Sequence, residues 1–251
     1  MNAIEQLAGW LSGAKAGVAF SGAGMSTESG IADFRSPGGI WSRFPMVDYD
    51  DFLRSREARK EYWRMRLELY KEFGGARPNP GHLALAKLEE LGHVKAVITQ
   101  NIDGLHQDAG STRVIELHGT ARKMACLRCG KEWPPEWVLD LVRGGDEAPE
   151  CDQCGGPIKA RTILFGQPMP IREMEEAAEL AQESDVFLAL GSSLTVEPAA
   201  SMPRLAKHAG ALLVIINRTE TALDDLADLI IRDSIGTTLT EVLRRVEAAG
   251  S

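Results

Sequence analysis

Seven short apolar runs punctuate the chain, at residues 16–20, 94–99, 114–117, 162–165, 185–190, 211–216 and 229–231. Several are continuous rather than alternating, as in parallel strands buried on both faces. Between them lie helical patterns. Residues 2–12 set Ile4, Leu7, Ala8 and Leu11 on one face. Asn79-Pro80 reads as the cap and first turn of a helix ending near Gly92, and further helices are expected at about 171–182, 198–208 and 238–248. This alternation predicts an α/β, doubly wound parallel sheet.

Two stretches interrupt the alternation. Residues 36–78 contain a charged helical pattern over 52–70, and residues 120–160 contain all four cysteines. Both are read as insertions forming a smaller module. The expectation is one domain, 1–251, whose large part is 1–35, 79–119 and 161–251 and whose small part is 36–78 (helical) and 120–160.

The cysteines fall in two knuckles, Cys126-x-x-Cys129 and Cys151-x-x-Cys154, each followed by glycine. That spacing fits a tetrahedral structural zinc site. Two disulfides or a redox pair are the competing readings; a cytosolic setting disfavours the first, and the second would not need a matching pair of knuckles. The start of the chain has no basic stretch leading into an apolar core, and no run approaches the ~20 apolar residues of a membrane span. A cytoplasmic protein with no membrane partner is expected. A net charge of −8 argues against broad nucleic-acid binding.

Four expected strand ends are unusually polar. Ser21-Gly22-Ala23-Gly24 begins the first, which continues through Ser26 and Thr27 to Asp33 and Arg35. Gly22-x-Gly24-x-x-Thr27 lacks the third glycine of the usual dinucleotide fingerprint. The second is Thr99-Gln100-Asn101-Ile102-Asp103-Gly104-Leu105-His106, the third Glu116-Leu117-His118-Gly119, and the fourth Gly191-Ser192-Ser193, with Asn217 ending the next run. Ligands of open α/β sheets bind at carboxyl ends of strands, so together these predict a nucleotide crevice. His118 is the candidate general base, because imidazole titrates near neutrality. Gly119 would let a substrate approach closely, and a strand-capping histidine is the alternative. His106 suits a packed role. His82, His93 and His208 are expected to be surface or packing residues without polar company.

These residues together resemble the sirtuin family of NAD-dependent protein deacylases, of the bacterial and archaeal type. Gly22-Ala23-Gly24-Met25-Ser26, Ser29-Gly30-Ile31 and Asp33-Phe34-Arg35 are similar to its first NAD motif. Gln100-Asn101-Ile102-Asp103 is similar to its second and His118-Gly119 to its catalytic motif. The paired cysteines, Phe165-Gly166, Gly191-Ser192-Ser193-Leu194 and Asn217 follow in the family's order. The resemblance implies a Rossmann-like NAD part, a zinc ribbon and an acyl-lysine tunnel between them. It implies NAD contacts from Gly22, Ala23, Gly24, Ser26, Thr27, Arg35, Gln100, Gly191, Ser192, Ser193, Asn217 and Ser234. Asp33 is a further implied NAD contact, Phe34 would lie near the nicotinamide pocket, and Ile102 and Asp103 would hold the carboxamide. In the implied reaction the acyl oxygen attacks the ribose anomeric carbon and expels nicotinamide. His118 then takes a proton from a ribose hydroxyl, with Asn101 orienting the ribose or a water. The products are free lysine, nicotinamide and acyl-ADP-ribose. An acyl-lysine protein or peptide is the implied partner, and a monomer is expected.

Phe165, Gly166, Leu194, Thr195, Tyr62 and Met65 are the implied substrate contacts. Sirtuins acting on acidic acyl groups carry Tyr-x-x-Arg on the helix of the small module. Here Tyr62 takes the tyrosine position and Met65 the arginine position, while Arg64 and Arg66 are expected to face elsewhere. A thioether cannot pair with a carboxylate, so neutral acyl groups are expected. Ala32 replaces the family's usual proline, which leaves that loop freer. Gln167 stands where the family has glutamate, a change bearing on peptide preference. Transfer of ADP-ribose to protein, or NAD sensing without catalysis, are the competing functions.

Overall fold

The computed structural model describes residues 2–33 and 39–249. In chain order, α1 (Ala3–Gly13) precedes β1 (Gly17–Ser21), and α2 (Ile40–Arg43), α3 (Tyr49–Arg54), α4 (Arg56–Gly75) and α5 (Pro80–Glu90) lead to β2 (Val94–Thr99). Next come α6 (Leu105–Asp108), β3 (Val114–Glu116), β4 (Gly119–Cys126), β5 (Glu132–Trp133), α7 (Pro135–Arg143) and β6 (Ile158–Thr162). The chain closes with α8 (Ile171–Glu183), β7 (Val186–Leu190), α9 (Met202–His208), β8 (Leu212–Ile216), β9 (Leu229–Ile231) and α10 (Ile235–Ala249).

Six strands form a parallel sheet in the order β3-β2-β1-β7-β8-β9. This is the doubly wound order of the Rossmann fold. Side chains alternate across each strand, so Ala19 packs with Leu7 and Leu11 of α1, Leu85 and Leu88 of α5, and Leu239 and Val242 of α10. Val18 and Phe20 face the other way, onto Ala177 and Leu180 of α8 and Met202 and Ala206 of α9. Burying each such leucine is worth roughly 1.5–3 kcal/mol. The Asn79 side chain caps α5 by accepting from the Gly81 and His82 amides, with Pro80 at the first helical position as the sequence implies.

The small module is a second, antiparallel sheet, β5-β4-β6, packed on α3, α4 and α7 around Phe52, Tyr62, Trp63, Met124, Trp133, Val138 and Ile158. Three expectations change here. The run 162–165 is not a strand of the main sheet. The strand is β6, whose edge is taken by β4, and Ile163, Leu164 and Phe165 beyond it line a cleft instead. β4 escapes the sequence reading because Arg122 and Lys123 interrupt its apolar positions. The charged pattern over 52–70 is two helices, broken where the Ser55 hydroxyl accepts from the Ala58 amide at 3.2 Å and starts α4. Among the described residues no helix is long and apolar enough to cross a membrane.

Candidate active site

The strand order reverses between β1 and β7, and the loops leaving them meet there. The Gly24 amide donates to Gly191 O at 2.8 Å, and a Cβ on Gly24 would stand 2.8 Å from Gly191 Cα. Gly191 has φ +60°, and a Cβ there would lie 2.4 Å from the Met25 nitrogen. Any side chain at either position would drive the loops apart, so backbone rather than side chain faces the crevice. The donor set around it suits the polar groups of a dinucleotide, at the switch point where such ligands bind.

Asn101 grips the first loop. Its Nδ2 donates to Gly22 O at 3.0 Å and to Ser26 Oγ at 3.2 Å. Ser26 donates to Asp103 Oδ2 at 2.7 Å, and Asp103 Oδ1 accepts the Leu105 amide at 2.9 Å. Ser192 donates to Gln100 Oε1 at 2.8 Å, joining the ends of β2 and β7. Thr27 Oγ1 turns inward to Gly24 O at 3.0 Å, and Ile102 O accepts the Ala121 amide at 2.9 Å. Ser193 pairs with the exposed Thr195 at 2.9 Å. Asn217 Nδ2 donates to Thr219 O at 2.9 Å, while Ser234 Oγ reaches Glu28 at 2.9 Å beside the first loop. Asp33 is half-buried, its carbonyl accepting the Ile40 amide. Phe34 and Arg35 lie outside the described residues.

His118 Nδ1 lies 3.0 Å from Gln100 O. A carbonyl only accepts, so Nδ1 carries the proton and Nε2 is the ring's basic nitrogen. Gly119 has another reason for being glycine. With φ +68°, a Cβ there would sit 2.0 Å from Arg161 O, so β6 rather than a substrate demands its absence.

His118 opens onto a cleft of about 260 Å³. Its walls include Ala23, Gln100, Asn101 and Ile102 from the loops after β1 and β2, and Met65, Leu69, Leu164, Phe165 and Gly166 from α4 and the loop after β6. Gln167 Oε1 accepts the Leu164 amide at 3.2 Å and closes the turn carrying Phe165. Tyr62 does not reach the cleft. It is fully buried in the small module's core, its hydroxyl accepting the Ala160 amide at 3.1 Å. Leu194 is likewise core, 1% exposed and packed with the α8–α9 face. Arg66, expected to face elsewhere, stands in the cleft wall at 4% exposure. It is the next residue along α4 from Met65, and both line the cleft. Its Nη2 donates to Thr162 Oγ1 at 2.6 Å, but Nε and Nη1 make no hydrogen bond. Burial first, and Arg66 second, lower the pKa of nearby Lys159 to about 7. Met46, Val47 and Val196–Pro198 also line the cleft, from loops with no motif to announce them.

Ala32 is tethered rather than free. Its amide donates to Glu72 of α4 at 3.2 Å, and Glu72 also pairs with Arg43 at 2.8 Å. A proline could not make the first of these bonds.

The four cysteine sulfurs lie within 4.8 Å of one another, with 3.5 Å between Cys126 and Cys154 and 3.6 Å between Cys129 and Cys151. Disulfide sulfurs would be ~2.05 Å apart. Four ligands at ~2.3 Å around a tetrahedral ion fit instead, and all four positions are protein sulfur. The four cysteines are placed to hold a structural zinc, and none of them lines the cleft.

His82 and His106 are fully buried, with ring centroids 4.8 Å apart. His82 therefore has polar company that sequence did not reveal. Burial lowers its pKa to about 4 against the opposing charges of Asp103 and Glu28, and burial, then His82, lowers that of His106 to about 3. Both folded values lie below the ordinary ~6.5, so the unfolded chain binds more protons between pH 6.5 and 4. Stability is fully present above pH 6.5 and falls as pH drops, by about 1.4 kcal/mol per pH unit for each histidine. Thermal melting at pH 7.0, 6.0 and 5.0 checks this. A flat midpoint across the series would show that these rings protonate freely in the fold.

The Sir2 family model matches residues 22–198. An NAD-dependent protein deacetylase of Thermodesulfovibrio yellowstonii is 50% identical over 90% of this chain and 88% of that protein. One of the same description from Caldivirga maquilingensis is 45% identical over 96% and 94%. A solved structure of Sir2 with a p53 peptide and NAD+ superposes with a TM-score of 0.88 at 38% identity, covering 100% of this chain and 99% of that one. A structure of Sir2Tm with a propionylated peptide gives 0.85 at 38% identity, over 98% of each. Matched by the family model over residues 22–198 and by these relatives along nearly its whole length, this chain belongs to the Sir2 family.

Proposed function

We propose that this chain is an NAD-dependent protein-lysine deacetylase that releases nicotinamide and O-acetyl-ADP-ribose. The observation that carries the reading is His118, with Nδ1 tied to Gln100 O and the ring at the junction of the dinucleotide crevice and the cleft. NAD, when bound, supplies a ribose carbon with nicotinamide as leaving group. His118 Nε2 takes the proton of a ribose hydroxyl, and the neutral tautomer is held ready by Gln100. Asn101 spends both Nδ2 hydrogens on Gly22 and Ser26, so its Oδ1 is the atom it offers to a water or ribose hydroxyl. Asp103, fixed by Ser26 and the Leu105 amide, orients the nicotinamide carboxamide with the Ile102 backbone. Ala23, Thr27, Ser192, Ser193, Asn217 and Ser234 surround the remainder of the dinucleotide. The dinucleotide belongs to the large part (1–35, 79–119, 161–251), and the acyl-lysine enters between it and the small one. Reduced cysteines set to bind metal support a cytoplasmic setting.

The cleft walls speak to the acyl group. Met65 and Leu69 suit a short neutral chain, whereas Arg66, with two donor groups unmatched, supports a second reading in which acidic acyl chains are slower substrates. A nicotinamide-release assay over acetyl-, propionyl- and succinyl-lysine peptides tests both. Acetyl-lysine is expected to give at least tenfold higher kcat/KM than succinyl-lysine. Arg66→Leu should cost the succinyl reaction more than tenfold and the acetyl reaction less than threefold. Equal losses on both peptides would remove Arg66 from acyl selection, and NAD consumption indifferent to every peptide would remove the deacetylase reading.

A further inference from the structure

The buried histidine pair lies beneath the dinucleotide loop, and its hydrogen bonds fix the state of each ring. The Asn79 amide donates to His82 Nδ1 at 3.3 Å. His82 Nδ1 is then unprotonated and Nε2 carries the hydrogen, yet Nε2 is buried with no partner. The Ser21 hydroxyl donates to Thr99 Oγ1 at 2.8 Å, so at 2.8 Å from His106 Nε2 its oxygen can only accept. His106 Nε2 carries the hydrogen and Nδ1 is a lone pair, and Nδ1 too is buried without a partner. One orphan donor and one orphan acceptor thus belong to rings 4.8 Å apart. A buried pair left unsatisfied is costly, and each group is what the other lacks.

We propose that His82 Nε2–H is matched to His106 Nδ1, completing a neutral hydrogen-bond relay that positions the dinucleotide loop. The relay runs from the Asn79 amide through His82, His106 and Ser21 to Thr99 Oγ1, which also accepts the Asn101 amide at 3.0 Å. Its two ends are the asparagines that hold the loop. Asn79 Nδ2 donates to Met25 O at 2.8 Å and Ser29 Oγ at 3.1 Å, and Asn101 holds Gly22 and Ser26. His82 and His106 are therefore positioning residues. Neither lines the cleft, and they act on the loop through the asparagines. The consequence for NAD rests on the deacetylase reading, whereas the relay itself does not.

Two measurements test it. Long-range ¹H–¹⁵N spectra of the full chain at pH 7 should show both rings as Nε2–H tautomers, and an Nδ1–H tautomer in either ring overturns the relay. Calorimetric NAD titration then compares His106→Leu with His106→Gln, whose amide can donate to Ser21 and accept from His82. The leucine variant should bind NAD at least tenfold more weakly and melt lower, because it leaves the His82 Nε2–H buried and unpaired, and the glutamine variant should come within threefold of the natural chain in affinity. Equal affinities of the two variants would reduce the pair to packing and overturn the proposal. If the unsubstituted chain gives no NAD heat, the deacetylase reading fails, and the tautomers still decide the relay even where a variant does not fold.

Discussion

Replacing His118 with alanine is expected to lower deacetylation by 10²–10⁴-fold, the range a positioned general base supplies. The substitution removes a half-buried ring whose Nδ1 bond is to a loop carbonyl, so the six-stranded sheet beneath keeps its packing. NAD affinity should change little, because Ser192 holds Gln100, and Asn101 holds Gly22 and Ser26, without the imidazole. Single-turnover rates with an acetyl-lysine peptide, alongside NAD titration and a melting curve, separate these effects. A variant that binds NAD, melts normally and still turns over within fivefold of the natural chain would take the base role away from His118.

Metal removal should have an equally large effect by another route. Cys126 and Cys151 are part of the small module's core, with Met124, Trp133 and Ile158. Structural zinc contributes about 10–16 kcal/mol in isolated zinc-finger peptides, comparable to the whole stability of an ordinary domain of about 5–15 kcal/mol. A strong chelator, or Cys151→Ala, should therefore unfold β4–β6 and abolish turnover although no cysteine lines the cleft. Trp133 and Trp137 stack 5.5 Å apart beside the cysteines, so tryptophan emission reports the change directly. Native emission and full activity after complete metal removal would mean that the module stands without it.

Most of the parallel sheet is legible in sequence because its strands are buried on both faces and written as unbroken apolar runs. The cysteine knuckles are legible for a related reason: metal geometry fixes residue type and spacing together. The small module is not, since β4 carries two consecutive exposed residues, Arg122 and Lys123, which break any simple period. Around the site, residues acting through side-chain chemistry announce themselves, as His118, Asn101 and Asp103 do. Those acting through shape do not. Met46 and Val47 come from a loop with no pattern, and whether Arg66 or Tyr62 faces the cleft depends on how α4 rolls against β6. His82 reads in sequence as a packing residue because its polar partner, Asn79, is accounted for there as a helix cap.

In the proposed reaction the ribose freed of nicotinamide is handed to the acyl group and not to a protein side chain. The direct measurement follows labelled NAD and an acetyl-lysine peptide together by mass spectrometry, counting nicotinamide, deacetylated peptide and the fate of the ADP-ribose. One nicotinamide per lysine freed is expected, with all the ADP-ribose recovered as its soluble acetyl ester. ADP-ribose bound to protein, with the peptide still acetylated, would contradict it.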